Sequence, residues 1–271
     1  MTGDFLIVKK YLSNPLVTGT IFLTLAGTTS RFMGFFFRIF LNNVMGSTGL
    51  GLYQLVIPLM SVCMSLCCNG FQTATSKFVA EKPQNRQIIL ICAIIMSATI
   101  ALLLTIIMYS NAHYISICIL SESRCTELVK ALSFSILPAA IHSCINGYYY
   151  GLKKAAVPAA TQLIEQTARI GTCYLIYSIL SDGDSCFKPV YSIYGIVAGE
   201  ASATVFSVIT IKKDFSYFKI SVKSLKTTAY GMAALFIPLS LNYILASFSS
   251  SVENVLIPRT LKLYGLSPAL A

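Results

Sequence analysis

Residues Ile88–Tyr109 read IILICAIIMSATIALLLTIIMY, an unbroken apolar stretch without a charged side chain. A helix needs about 20 apolar residues to cross the hydrocarbon core of a bilayer, because each residue adds about 1.5 Å. Only 11% of the whole chain is charged and 55% is hydrophobic, whereas an ordinary soluble domain has roughly 25% charged residues. The stretch and the composition together predict an integral membrane protein.

The same criterion, applied outward from this stretch, predicts an all-α, polytopic helix bundle with about seven transmembrane helices. Residues 1–224 form a six-helix lobe in this interpretation, and residues 225–271 form the start of a second, truncated lobe. The predicted spans are residues 15–41, 50–79, 88–109, 126–149, 157–180, 190–211 and 225–258.

Basic residues between the spans predict the orientation, since cytoplasmic loops are enriched in lysine and arginine. With a cytoplasmic N-terminus, only Arg124 and Lys188 lie in outer loops. The inner segments then contain Lys9, Lys10, Lys82, Arg86, Lys153, Lys154, Lys212, Lys213, Lys219, Lys223 and Lys226.

Several classes of function find no support in the chain. The net charge of +10 is dispersed between apolar stretches, so it does not indicate nucleic-acid binding. His113 and His142 are isolated from each other and from any cysteine pair, which argues against a metal site. No catalytic motif or cofactor-binding loop is present, so the sequence does not predict an enzyme.

Ionisable residues inside the predicted spans are the candidate functional groups, because charges in hydrocarbon are expensive and usually face a protein interior or a wet cavity. Arg31 and Arg38 are seven residues apart and share one helix face. They form either a cationic stripe that binds an anion or two side chains that reach toward an interface.

Glu165 and Arg169 have the spacing of an intrahelical ion pair. They are either a self-neutralising pair or one wall of a polar cavity, and these readings are compatible. Glu200 is a candidate coupling-ion or proton site, or a neutral buried acid. Glu253 is a candidate gate residue or an interfacial charge.

Five ordered segments of the chain carry a family resemblance: Thr24–Leu41, Gly49–Pro58, Gly70–Glu81, Asn146–Lys153 and Pro158–Arg169. Together they resemble the stage V sporulation protein B family. The segment Asn146–Lys153 has asparagine where the family motif has arginine.

The resemblance implies a member of the multidrug/oligosaccharidyl-lipid/polysaccharide exporter (MOP) superfamily, with two six-helix lobes around a central cavity. It implies a flippase for a lipid-linked sugar pyrophosphate in the bacterial cell membrane, acting in spore cortex or envelope synthesis without a cofactor. Arg31, Arg38 and Arg169 would bind the pyrophosphate and Glu165 would hold Arg169. Because family members have about fourteen spans, we expect a C-terminal lobe or a second half-transporter as partner. A cation-coupled multidrug extruder and an inactive half-transporter are the alternatives.

Overall fold

Helices account for nearly all of the described chain. The computed structural model describes residues 15–181, 187–214 and 222–263, although the side chains of residues 15, 16, 181, 213, 222–227, 248 and 250–263 lie outside the description. The seven long helices of these ranges are α1 (Pro15–Met64), α2 (Gly70–Glu81), α3 (Arg86–Ser110), α4 (Thr126–Gly151), α5 (Ala156–Ser181), α6 (Pro189–Asp214) and α7 (Val222–Leu263). The predicted all-α membrane bundle is therefore confirmed.

Helix α1 contains two spans that are separated at Gly46. Its 50 residues would extend about 75 Å as one straight helix, more than twice the roughly 30 Å hydrocarbon core. Gly46 breaks the helix with a φ of 70° and a ψ of 177°. Glycine adopts this conformation without the steric penalty of other residues. The break lies in the uncharged connection predicted between the first two spans.

The second span does not continue as a regular α-helix to its end. A π-helical turn, Ser65–Asn69, joins α1 to α2. Such turns insert an extra residue and leave a carbonyl group with altered partners. Here the Ser97 hydroxyl on α3 donates a hydrogen bond to the carbonyl oxygen of Cys67. The turn directs Cys68 and Asn69 toward the central cavity described below.

Helix α4 lies at the centre of the bundle. It packs against α2, α3 and α6, and most of its residues are buried. Gly147 faces α2 so closely that an added Cβ atom would lie 2.5 Å from the carbonyl oxygen of Gln72. Gly151, one turn later, faces Ser76 in the same way. These small residues allow the two helices to touch through their backbones, as is common between membrane helices.

Helices α5 and α6 cross with a similarly close contact. An added Cβ atom at Gly195 would lie 2.9 Å from the carbonyl oxygen of Arg169. An added Cβ atom at Gly199 would lie 2.8 Å from the carbonyl oxygen of Glu165. The glycine pair therefore places the polar face of α5 beside Glu200, which follows Gly199 directly.

Helix α7 packs against α1, α2 and α3. The rings of Phe71 and Phe236 stack with centroids 3.8 Å apart, and the hydroxyl groups of Thr73 and Tyr243 are 3.1 Å apart. The helix begins at Val222, close to the predicted lobe boundary at residue 225. That division into two lobes stays a prediction.

Five stretches of the described residues are long and apolar enough to cross a membrane. The first of them, Val17–Glu81, covers the first predicted span from residue 17 onward and the whole of the second. Helix α5 is not among the five, because Glu165, Arg169 and two glutamines lower its hydropathy. The bundle exposes large apolar side chains on α1 and α3, such as Phe36 and Leu103, which suits contact with lipid.

Candidate functional site

A polar cavity of about 900 Å³ opens in the middle of the bundle. Helices α1, α4, α5 and α6 and the π-helical turn supply most of its walls. It contains every predicted site residue whose side chain is described. Its polar lining includes Ser30, Arg31, Arg38, Gln54, Ser61, Asn69, Gln72, His142, Ser143, Gln162, Glu165, Gln166, Arg169, Glu200 and Ser247.

Arg31 and Arg38 both line this cavity from α1. Both side chains are exposed, and neither has a carboxylate partner among the residues that the structure describes. The two-turn spacing separates them by about 10 Å along the helix. Both guanidinium groups therefore belong to the cavity lining, and their role as an anion-binding stripe stays a prediction.

Glu165 and Arg169 form the predicted ion pair on α5. Arg169 donates from Nη2 to Oε1 of Glu165 over 2.6 Å, and both side chains also line the cavity. The side chains are 19% and 16% exposed, so each charge is compensated by the opposite charge of its partner and not by water. The two readings of this pair, self-neutralisation and cavity wall, therefore both describe the structure. The Nε atom of Arg169 is buried without a hydrogen-bond partner among the described residues.

Glu200 is buried on α6 and contacts a histidine on α4. The Nε2 atom of His142 lies 2.7 Å from Oε2 of Glu200. The sequence predicts an isolated His142, and this prediction is wrong, because tertiary packing joins residues 58 positions apart. Its position inside a predicted span was a usable signal, since ionisable residues in spans are functional candidates.

His142, Glu165 and Glu200 also meet one another. Their candidate ligand atoms all lie within 4.8 Å of each other, which is close enough to consider a cation. However, Arg169 already holds Glu165, and a bound cation would face this guanidinium. The arrangement is better described as a charge network of two acids, one histidine and one arginine.

The polar end of the second span contributes to the same cavity. Ser143 on α4 donates a hydrogen bond to the side-chain oxygen of Gln72 over 3.0 Å, and Asn69 lies beside it in the lining. Glu253, the remaining predicted candidate, belongs to α7 but its side chain lies outside the described residues.

The bundle and its cavity together define a multi-pass membrane protein with the fold of MOP superfamily transporters. A MOP superfamily transporter from Pyrococcus furiosus aligns with a TM-score of 0.69 and 16% identity, covering 86% of this chain and 53% of that one. A multidrug resistance MATE family transporter of the same superfamily, solved in an outward-facing conformation, aligns with a TM-score of 0.65 and 14% identity over the same shares.

The chain belongs to the polysaccharide biosynthesis protein family, which matches residues 16–264. The stage V sporulation protein B of Bacillus subtilis (strain 168) is 24% identical over 263 residues, or 93% of this chain and 51% of the relative. The lipid II flippase MurJ of the same organism is 24% identical over 189 residues, or 64% and 35%. The chain thus spans about half, or less, of the length of these curated relatives.

Proposed function

We propose that this chain forms the first lobe of a flippase that moves a lipid-linked oligosaccharide or peptidoglycan precursor across the bacterial cell membrane. The movement runs from the cytoplasmic to the outer leaflet, with the N-terminus in the cytoplasm, and it serves spore cortex or envelope polysaccharide synthesis. The family match and the named relatives support this class of cargo. A C-terminal lobe or a second half-transporter closes the cavity.

One observation carries the proposal: among the described residues, the charged groups of the cavity that lack a bonded partner are two arginines. Arg31 and Arg38 have no carboxylate partner among the described residues, whereas Glu165 and Glu200 are each bonded to a cation or a histidine. Arginine binds phosphate oxygens through two parallel hydrogen bonds, which suits the pyrophosphate of a lipid-linked sugar. The cargo's two negative charges match the two free guanidinium groups.

The same observation argues against the alternative, a cation-coupled extruder of cationic drugs. Such an extruder needs acidic groups that are free to meet a positive substrate. Both acids of the described cavity are already engaged, and two arginines would repel the drug. If the chain is instead an inactive half-transporter, it should fold correctly and bind no anion.

Binding of a lipid-linked disaccharide pyrophosphate to the protein in lipid nanodiscs tests the proposal. We expect Arg31→Gln and Arg38→Gln each to weaken binding by roughly tenfold or more, since hydrogen bonds to charged groups are worth about 1.5–3 kcal/mol. Arg124→Gln is the matched control, because Arg124 is outside the cavity and paired with Glu122 at 2.9 Å. Equal affinities in all three variants would reject the arginine assignment, and binding of a cationic dye instead would favour the extruder.

A further inference from the structure

Two closely bonded pairs of side chains face each other in the wall of the cavity. His142 and Glu200 are 2.7 Å apart, Arg169 and Glu165 are 2.6 Å apart, and Glu165 lies beside the first pair. These four side chains are only 5% to 19% exposed. Charges buried to this extent are stable only when their neighbours compensate them. The four groups therefore behave as one electrostatic unit.

The charge balance of this unit depends on the proton of His142. With a protonated imidazole the two cations balance the two carboxylates, and with a neutral imidazole one negative charge remains. The titratable and charged groups that face His142 from the packed elements are Glu200 on α6, Glu165 and Arg169 on α5, Cys68 on the π-helical turn, and Arg31 and Arg38 on α1 across the cavity. On its own helix, the Asn146 amide nitrogen lies 3.5 Å from His142 Nδ1.

An anion in the cavity changes this balance through Arg169. The guanidinium lines the cavity and donates to Glu165 from Nη2, while its buried Nε atom has no hydrogen-bond partner among the described residues. When Arg169 turns toward an anion, Glu165 loses its cation and faces the carboxylate of Glu200. An imidazolium at His142 is then the remaining compensation, and neutralisation of Arg31 and Arg38 by the same anion acts in the same direction.

We propose that binding of an anion at Arg169 is linked to proton uptake by the network of His142, Glu165 and Glu200, with His142 as the acceptor. The inference rests on the proposed function only for the identity of the anion, a pyrophosphate diester. Since the bound state takes up the proton, affinity rises as the pH falls. Linkage limits the effect to about tenfold in affinity per pH unit for one proton.

The dissociation constant of a lipid-linked disaccharide pyrophosphate, measured in nanodiscs from about pH 5 to pH 8, tests this linkage where histidine titrates. A pyrophosphate diester lacks the acidity near pH 6 of phosphate monoesters, so the ligand's charge stays constant. We expect a pH-dependent affinity in the parent chain. His142→Gln should bind at every pH with the weak affinity that the parent chain has at the alkaline end of the range. His113→Gln is the matched control, because His113 is the other histidine of the chain and is exposed outside the cavity.

Glu165→Gln gives a second test with the opposite sign. Without the Glu165 carboxylate, Arg169 binds the anion and no buried carboxylate loses its cation. This variant should therefore bind across the range with about the affinity that the parent chain has at the acid end. Two flattened profiles at different levels support the linkage. A parent-like slope in His142→Gln, or the same level in both variants, overturns it.

A short-chain dialkyl pyrophosphate separates this inference from the proposed cargo. It has the same charge but neither the polyprenyl chain nor the sugar. If it binds with the expected pH dependence and the lipid-linked sugar binds no better, the linkage holds and the proposed cargo is wrong. If neither anion binds at any pH, the linkage is wrong as well, because it requires an anion at Arg169.

Discussion

Gly199 on α6 lies directly against the backbone of Glu165 on α5, so that an added Cβ atom would be 2.8 Å from the Glu165 carbonyl oxygen. Real Cβ atoms do not approach an oxygen this closely, and a backbone carbonyl in a helix cannot move aside alone. The contact therefore sets how near α5 and its two charged residues come to Glu200 and His142. The network in the cavity wall depends on a residue that carries no side chain.

Gly199→Ala should separate α5 from α6 and destabilise the protein by about 1–3 kcal/mol, the usual effect of an added methyl group in a packed interior. The midpoint of thermal unfolding in detergent micelles measures this. Gly171→Ala on α5 is the control, since an added Cβ atom there meets nothing within 4 Å. That control should be neutral or slightly stabilising, because alanine favours a helix over glycine by about 1 kcal/mol. Equal shifts in both variants would contradict the close-contact interpretation.

Arg169→Gln should destabilise the protein by about 3–5 kcal/mol, because it strands the buried Glu165 carboxylate. The double variant Glu165→Gln/Arg169→Gln should lose less than the sum of the two single variants, since it leaves no unpaired charge. The free energy of unfolding of the four proteins gives this coupling. Lys77→Gln is the matched control, because Lys77 and Glu81 have the same spacing but are 55% and 53% exposed. Exposed pairs contribute about 0–1 kcal/mol, and strictly additive effects at residues 165 and 169 would count against the pair.

Cysteine labelling should distinguish the wet cavity from the lipid-facing surface. In a chain with Cys118→Ser, which removes the one exposed thiol among the described residues, Ser61→Cys should react with a charged, water-soluble maleimide. Leu103→Cys should not react, although Leu103 is 55% exposed, because a bilayer covers the apolar face of α3. The Cys118→Ser chain alone measures background labelling. Fast labelling at residue 103 would mean that this face contacts water.

Labelling of intact cells should establish the orientation. With a cytoplasmic N-terminus, Ser123→Cys lies outside and should react with a membrane-impermeant reagent. Gln84→Cys, between Lys82 and Arg86, should react only after the cells are permeabilised. Both positions are exposed in the bundle, so accessibility differs only through the membrane. The reverse pattern would place the N-terminus outside and invert the proposed direction of transport.

Local patterns explain why most of the helices and some of the site could be predicted. The apolar stretch of α3 needs no tertiary information, and the Glu165–Arg169 pair follows from spacing within one helix. The π-helical turn at Ser65–Asn69 was not predicted, because the residues of this segment are equally compatible with a continuous α-helix. The predicted span of residues 157–180 coincides with α5, although its polar residues keep this helix outside the five stretches that are apolar enough to cross a membrane.

The sequence by itself determined that this protein belongs in a membrane and which residues carry charge within it. Both properties follow from composition and from the length of apolar stretches, because each helix must match the thickness of the hydrocarbon core by itself. Only the tertiary structure decided that His142 meets Glu200 and that Arg31 shares a cavity with Arg169. Such contacts join residues far apart in the sequence, and they depend on which helix faces pack together. Close approaches such as that of Gly199 to Glu165 determine this packing.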